Sequence, residues 1–251
     1  MEIAMGWQAA FAMVALFCVL CAIAVNPLRA ELDDDRDPDS RPSLFKSLVE
    51  PVKLVLSHAP LRVLAAISFL FAITQLSLTT YLVTFLYEDL GWGLVAAGLA
   101  LTVAQAAGVG GRVLWGWMAD NWLGSGYMLI GVALLLFAGA AAMPLFDTQT
   151  SVVWLYLVLM VLGATAIGWN GVYLAEVARQ APSGHAGMAT GGTLGFTFLG
   201  VLCGPPLFGV AAARFGSYGD AYALLIIPAL IIAVLLWVSR KRWSVHRSGS
   251  N

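Results

Sequence analysis

Apolar runs long enough to cross a lipid bilayer recur along the 251 residues, and no other feature constrains the chain as tightly. A bilayer core takes roughly 20 helical residues to span, and within it the backbone must satisfy its own hydrogen bonds, as a helix does. Seven spanning helices are predicted at approximately 6–27, 61–87, 92–118, 124–146, 151–176, 186–213 and 219–239. Composition agrees: 60% of residues are hydrophobic and only 11% charged, with the charges clustered between the runs, unlike a soluble domain of this length. The expected fold class is an all-α membrane bundle of seven transmembrane helices. The first run reads as a spanning helix rather than a signal peptide. Only Glu2 is charged among its leading residues, and no small-residue cleavage site followed by a soluble domain comes after it.

Four regions follow. Residues 1–28 hold the first helix, 29–60 a polar linker, 61–239 a six-helix unit and 240–251 a tail. The linker opens with a charged, proline-broken stretch from Glu31 to Pro42, of the composition of a solvated connector. From Ser43 to His58 it mixes Leu and Val with Lys46, Glu50 and Lys53, which predicts a short amphipathic segment on the membrane surface, interrupted at Pro51. Basic residues set the orientation, because cytoplasmic loops retain Lys and Arg. Every Lys and Arg except Arg214 falls on one side: in the linker and its edges, at Arg112, at Arg179 and in the tail. The opposite turns carry Glu88, Asp89, Asp147 and Asp220. The reading is a multi-pass protein of the plasma (inner) membrane with its N-terminus outside and its C-terminus in the cytoplasm.

Several function classes recede on the same grounds. A net charge of −1 gives no field for nucleic acid. Cys18, Cys21 and Cys203 lie in apolar segments without the further ligands a metal site needs, so Cys18-x-x-Cys21 reads first as two small apolar side chains on a helix. No nucleophile motif, metal-ligand set or phosphate loop stands among the spans. No enzyme, metal or cofactor is expected.

Three short motifs carry a resemblance. Gly111-Arg112-Val-Leu-Trp-Gly116-Trp-Met-Ala-Asp120 sits at the predicted cytoplasmic end of one helix; Gly168-Trp169-Asn170-Gly171-Val-Tyr173-Leu-Ala-Glu176-Val-Ala-Arg179 forms the cytoplasmic half of another; and the chain begins Gly6-Trp7-Gln8-Ala-Ala-Phe11, loosely echoed by Gly216-Ser217-Tyr218-Gly219-Asp220. Together these resemble secondary transporters of the major facilitator superfamily, the second motif especially its bacterial anion carriers near the cyanate permease group. The first departs from the family signature after Asp120, where Asn121-Trp122-Leu123-Gly124 replaces the usual basic residues; Gln8 stands where Arg is common. The resemblance implies that 6–27 corresponds to the sixth of twelve helices, that 61–239 is the complete second half, and that the first five helices are supplied elsewhere, by an N-terminal half or a second copy.

In such a fold solutes bind near the bilayer midplane, so polar residues deep in helices are the candidates. Gln75, Gln105, Trp169, Asn170 and Tyr173 are singled out, with helix–helix hydrogen bonding as the alternative role for the amides. Glu176 and Arg179, three apart on a helix, can pair, either as a cytoplasmic gate with Arg112 and Asp120 or as a static surface pair. Gly111 and Gly116 allow close helix crossing, and Asp120 also suits a helix start. The run 186–213 holds Gly187, Gly191, Gly195, Gly204 and Pro205, which suit either tight packing or a hinge. No charged group is placed in the middle of a span, and His58 and His185 read as loop residues. The implied function is alternating-access transport of a small polar or anionic solute, secondary active or facilitated, with bilayer and solute as partners. The competing reading is a non-transporting scaffold, sensor or inactive half.

Overall fold

A computed structural model describes residues 2–26 and 44–245. Segments 27–43 and 246–251, with Arg29, Arg36, Arg41 and Arg247 of the topology reading, lie outside the described residues. The chain divides into two units, Met1–Leu44 and Phe45–Asn251. The first holds one helix, α1 (Glu2–Val25). Expected as a seventh span, α1 has a described apolar stretch, Phe11–Val25, shorter than the other six spans.

From the boundary onward run α2 (Leu44–Ser57), α3 (Ala59–Thr84), α4 (Leu94–Met118), α5 (Ser125–Ala142), α6 (Val152–Ala166), α7 (Asn170–Gln180), α8 (Ala186–Phe215), α9 (Tyr218–Ala223) and α10 (Ile226–Val245), all but Leu44 in the second unit. Among the described residues, six helical stretches are long and apolar enough to cross a membrane: Ala59–Asp89, Leu94–Leu123, Ser125–Leu145, Val152–Gln180, Ala186–Phe215 and Tyr218–Ser239. Most are apolar on every face, as suits helices enclosed by lipid and by one another. The α4–α5 turn is made at Gly124 (φ 75°) and α8 is capped by Gly216 (φ 72°), a left-handed backbone that glycine adopts without steric cost. Up-and-down connectivity gathers α2, the starts of α3, α5 and α8, and the ends of α4, α7 and α10 at one end of the bundle.

The central helix is α3, which packs along α8 and α10; α4 lies along α6, and α5 along α10 and α6. Leu61, Leu64, Ile67, Phe71, Leu78 and Leu82 of α3 are fully buried. Small residues set the closest crossings. Gly163 of α6 meets the Ala104 backbone of α4, while Gly111 of α4 meets the Ala164 backbone. Along α8, Gly192 faces Pro51 and Val55 of α2, Gly200 faces Phe69 and Ala72, and Gly204 faces Ile73. The Gly187/Gly191/Gly195 stripe, expected to draw helices together, instead meets open space, as does Gly116. Spacing by four puts glycines on one helix face, but which face meets a neighbour depends on the partner helices, here α3 and α2.

Candidate solute-binding site

Gln75 stands at the middle of the 31-residue stretch Ala59–Asp89. Its Oε1 accepts from Trp169 Nε1 at 3.1 Å and from Asn170 Nδ2 at 3.4 Å. The Trp169 indole is stacked on Phe71 of α3, with ring centroids 4.8 Å apart and planes within 9°, and Tyr173 makes an edge contact with it at 5.0 Å. Trp169 and Tyr173 are fully buried, whereas Gln75 and Asn170 are half-buried. The buried Trp169 therefore fixes the Gln75 amide through its indole bond. Gln105 is exposed on α4 and takes no part in these bonds.

Trp169 and Asn170 owe their positions to a break in the fourth of the membrane-length stretches. Between α6 and α7 the helix is interrupted at Ile167, Gly168 and Trp169, close to the centre of Val152–Gln180. A break at that depth frees carbonyls that need partners within the protein, and α4 supplies them. Trp115 Nε1 donates to Ala164 O at 2.7 Å, and Arg112 Nε donates to Ile167 O at 3.4 Å. Asn170 Nδ2 also donates to Ile167 O, at 3.4 Å.

Arg112 thereby corrects two expectations. It stands eight residues, about 12 Å of helix, from Asp120 and is no part of that residue's ion pair. It also brings a positive charge to the break near the centre of the Val152–Gln180 stretch, where none was expected. Its guanidinium, exposed on one side, the Asn170 amide and the Gln75 amide follow one another across α4, α7 and α3. The sequence hides this, because a long Arg side chain reaches well beyond its own helical level.

At the α2 end, Arg179 bridges two acids: Nη2 lies 3.5 Å from Asp120 Oδ1 and Nη1 lies 3.9 Å from Glu176 Oε2. Glu176 is buried and also accepts from Gln180 Nε2 at 2.7 Å. Asp120 lies in a π-helical turn, Ala119–Leu123, that finishes α4. With Arg179 this turn lines a cavity of about 270 Å³. Among the described residues no group of His, Cys, Asp and Glu is placed to hold a metal ion.

At the opposite end sequence reasoning gave Asp89 only a topological meaning. In the structure its Oδ2 accepts from Ser217 Oγ at 3.0 Å, Tyr218 N at 2.8 Å and Gly219 N at 3.0 Å, tying the end of α3 to the start of α9. Ser217 Oγ in turn accepts from Asp220 N at 3.2 Å. The Ser-x-x-Asp spacing is a capping signal that could have marked one side of this clamp, but the partner, 128 residues earlier, leaves no local signal.

Comparison with known proteins decides the family of this helical unit. The family model of the Major Facilitator Superfamily matches residues 3–193. The chain belongs to the Major Facilitator Superfamily. An MFS-type transporter of Mycobacterium tuberculosis (strain CDC 1551 / Oshkosh) is 26% identical over 253 residues, covering 96% of this chain and 55% of the relative. The chain thus spans about half the length of the curated relatives it matches. Among solved structures, the E. coli fucose:proton symporter superposes with a TM-score of 0.63 at 15% identity, over 79% of this chain and 47% of that one. A peptide transporter POT in complex with sulfate gives 0.64 at 17%, over 76% and 41%. At such identities the likeness is one of fold. It is the fold of an MFS membrane protein whose helices cross the bilayer repeatedly.

Proposed function

We propose that residues 61–239 form the second six-helix half of an MFS transporter that moves a small anionic or polar solute by alternating access, working against a complementary six-helix half or a second copy. The observation that supports this reading is the clustering of Arg112, Asn170 and Gln75 beside the α6–α7 break, near the centres of their helical stretches. Charge inside a membrane is costly and is retained where a ligand or pathway uses it. Helices broken at mid-depth offer polar groups of the kind transporters use to hold solutes. Arg112 supplies the charge for an anion, while Gln75 and Asn170 supply amide contacts; Trp169 and Tyr173 support them, and Gln105 lines the same open side from α4. Arg179 with Asp120 and Glu176 acts as a cytoplasmic gate. In this reading the α2 end and the 240–251 tail face the cytoplasm, the chain resides in the plasma membrane, and 29–60 is a cytoplasmic linker.

The test is uptake of a panel of small organic and inorganic anions by cells producing the transporter, against Arg112→Gln and Gln75→Ala at matched membrane levels. The expected result is saturable uptake lost in Arg112→Gln. Gln75→Ala should raise KM about tenfold, as loss of one hydrogen bond worth about 1.5 kcal/mol implies. Unchanged kinetics in Arg112→Gln would overturn the site. Robust uptake by the purified chain reconstituted alone as a monomer would overturn the need for a complementary half.

A further inference from the structure

The helix α2 is 14 residues long, about 21 Å, too short to cross a bilayer core of about 30 Å. One side of it is accounted for: Val55 is fully buried, and Pro51 and Val55 rest on Gly192 of α8. A second apolar strip, Leu48, Val52 and Leu56, is exposed at 72%, 37% and 51%, with Val49 beside it at 43%. At 100° per residue these positions continue the packed face outward rather than lying opposite it. Beyond them the helix turns polar at exposed Lys53 and Ser57 and half-buried Glu50. Lys46 stands seven residues before Lys53 in the same helix. Exposed Arg62 closes the elbow to α3 by donating Nη1 to Leu56 O at 3.1 Å.

Depth identifies what covers this strip. Gly192, the seat of α2, lies six residues inside the start of α8 at Ala186, about 9 Å along its axis. Interfacial helices bury their apolar face about 5–10 Å into the boundary between headgroups and acyl chains. α2 also leads directly into a membrane-crossing stretch at Ala59. Its level is therefore that of the bilayer surface, and the sequence through α2 and the elbow carries Lys46, Lys53 and Arg62 against the single acid Glu50.

We propose that this face of α2 is a docking surface for anionic phospholipid: acyl chains lie on Leu48, Val52 and Leu56, and headgroup phosphates on Lys53 and Arg62. Phosphate on a basic interfacial edge follows the attraction that draws polybasic segments to anionic leaflets. Because α2 is seated on α8 and joined to α3, lipid bound there acts on the helix pair that carries Gln75 and the buried core of the unit.

The test uses the full chain with Cys18→Ala, Cys21→Ala and Cys203→Ala, and one nitroxide-labelled cysteine introduced as Leu48→Cys, Val52→Cys or Ser57→Cys. It is reconstituted into phosphatidylcholine vesicles with or without phosphatidylglycerol. Labels at 48 and 52 are expected to collide mainly with oxygen, and the label at 57 mainly with a water-soluble nickel chelate. Phosphatidylglycerol should raise the oxygen-to-nickel ratio at 48 and 52, and Lys53→Gln with Arg62→Gln should abolish that rise. Nickel prevailing at 48 and 52 would place the strip in water, and shielding from both reagents would place it under protein. Equal ratios in the two lipids would show that charge is not read. Each of these three results overturns the proposal, and none of them depends on transport.

Discussion

Trp115 on α4 donates its indole N–H to the Ala164 carbonyl of α6 at 2.7 Å, where Gly163 and Gly111 let the two backbones close. The bond exists because α6 stops short of Trp169, leaving a carbonyl that an unbroken helix would have used itself. A broken membrane helix thus has its polarity answered by the neighbour it crosses, and the same crossing delivers Arg112 to Ile167.

Trp115→Phe keeps the ring and removes only the donor. An interhelical hydrogen bond in a membrane is worth about 1 kcal/mol, and a buried carbonyl left without a partner adds to the loss. The expected destabilisation is about 1–2 kcal/mol in detergent or bicelle unfolding titrations. No change would mean that the freed carbonyl finds another donor.

The glycines of the unit separate into two classes. Any Cβ at Gly163 would strike the Ala104 backbone, which cannot give way as a side chain can, so Gly163→Ala should prise α4 from α6 and lower stability by about 1–3 kcal/mol. Gly191→Ala meets open space and should leave folding unchanged. If the complementary half packs on that stripe, Gly191→Leu should abolish transport while the unit remains folded. Thermal unfolding and uptake measured on the same variants check both.

The fold was legible in the sequence because a bilayer reduces the problem to counting apolar runs: six of the expected spans reappear within a few residues. The break at Ile167–Trp169 was not, since Gly168 reads equally well as a packing glycine inside one long helix. Nor was the reach of Arg112, which depends on the crossing of α4 and α6 rather than on local spacing. Gln75 and Asn170 were singled out as isolated amides, and their joining across α3 and α7 is long-range information that no periodicity carries. The same holds for α8, where the sequence shows two glycine faces and only the partners decide which one packs.

A loop prediction tests the local electrostatics outside the membrane. Asp147 accepts from Thr150 Oγ1 at 2.8 Å and from Gln149 N at 2.9 Å, and these bonds, the Thr150 hydroxyl first, hold its pKa below the ordinary aspartate value. A lowered folded pKa means the turn is stabilised above the unfolded pKa, and that this is lost as pH falls through the folded value. Thr150→Val should move the carboxyl titration upward toward the ordinary value, read by NMR on selectively labelled aspartate. An unmoved titration would show that the hydroxyl does not set it.

The Arg179 bridge predicts an asymmetry between its two ends. Asp120 and Arg179 side chains are 70% and 44% exposed, and an exposed pair contributes about 0–1 kcal/mol, so Asp120→Asn should barely alter stability. Glu176, with its side chain only 7% exposed, depends more on its neighbour. Arg179→Gln leaves that carboxylate with Gln180 alone and should cost about 1–3 kcal/mol. A static surface pair would give no more than these stability changes. A gate that breaks and reforms with each cycle would also make both variants slow transport, and the Asp120→Asn, Arg179→Gln double variant would be no slower than the worse single one, because residues acting as a unit are not additive. Unfolding and initial uptake rates on the two single variants and the double variant decide between them: full additivity in rate returns the pair to a structural role.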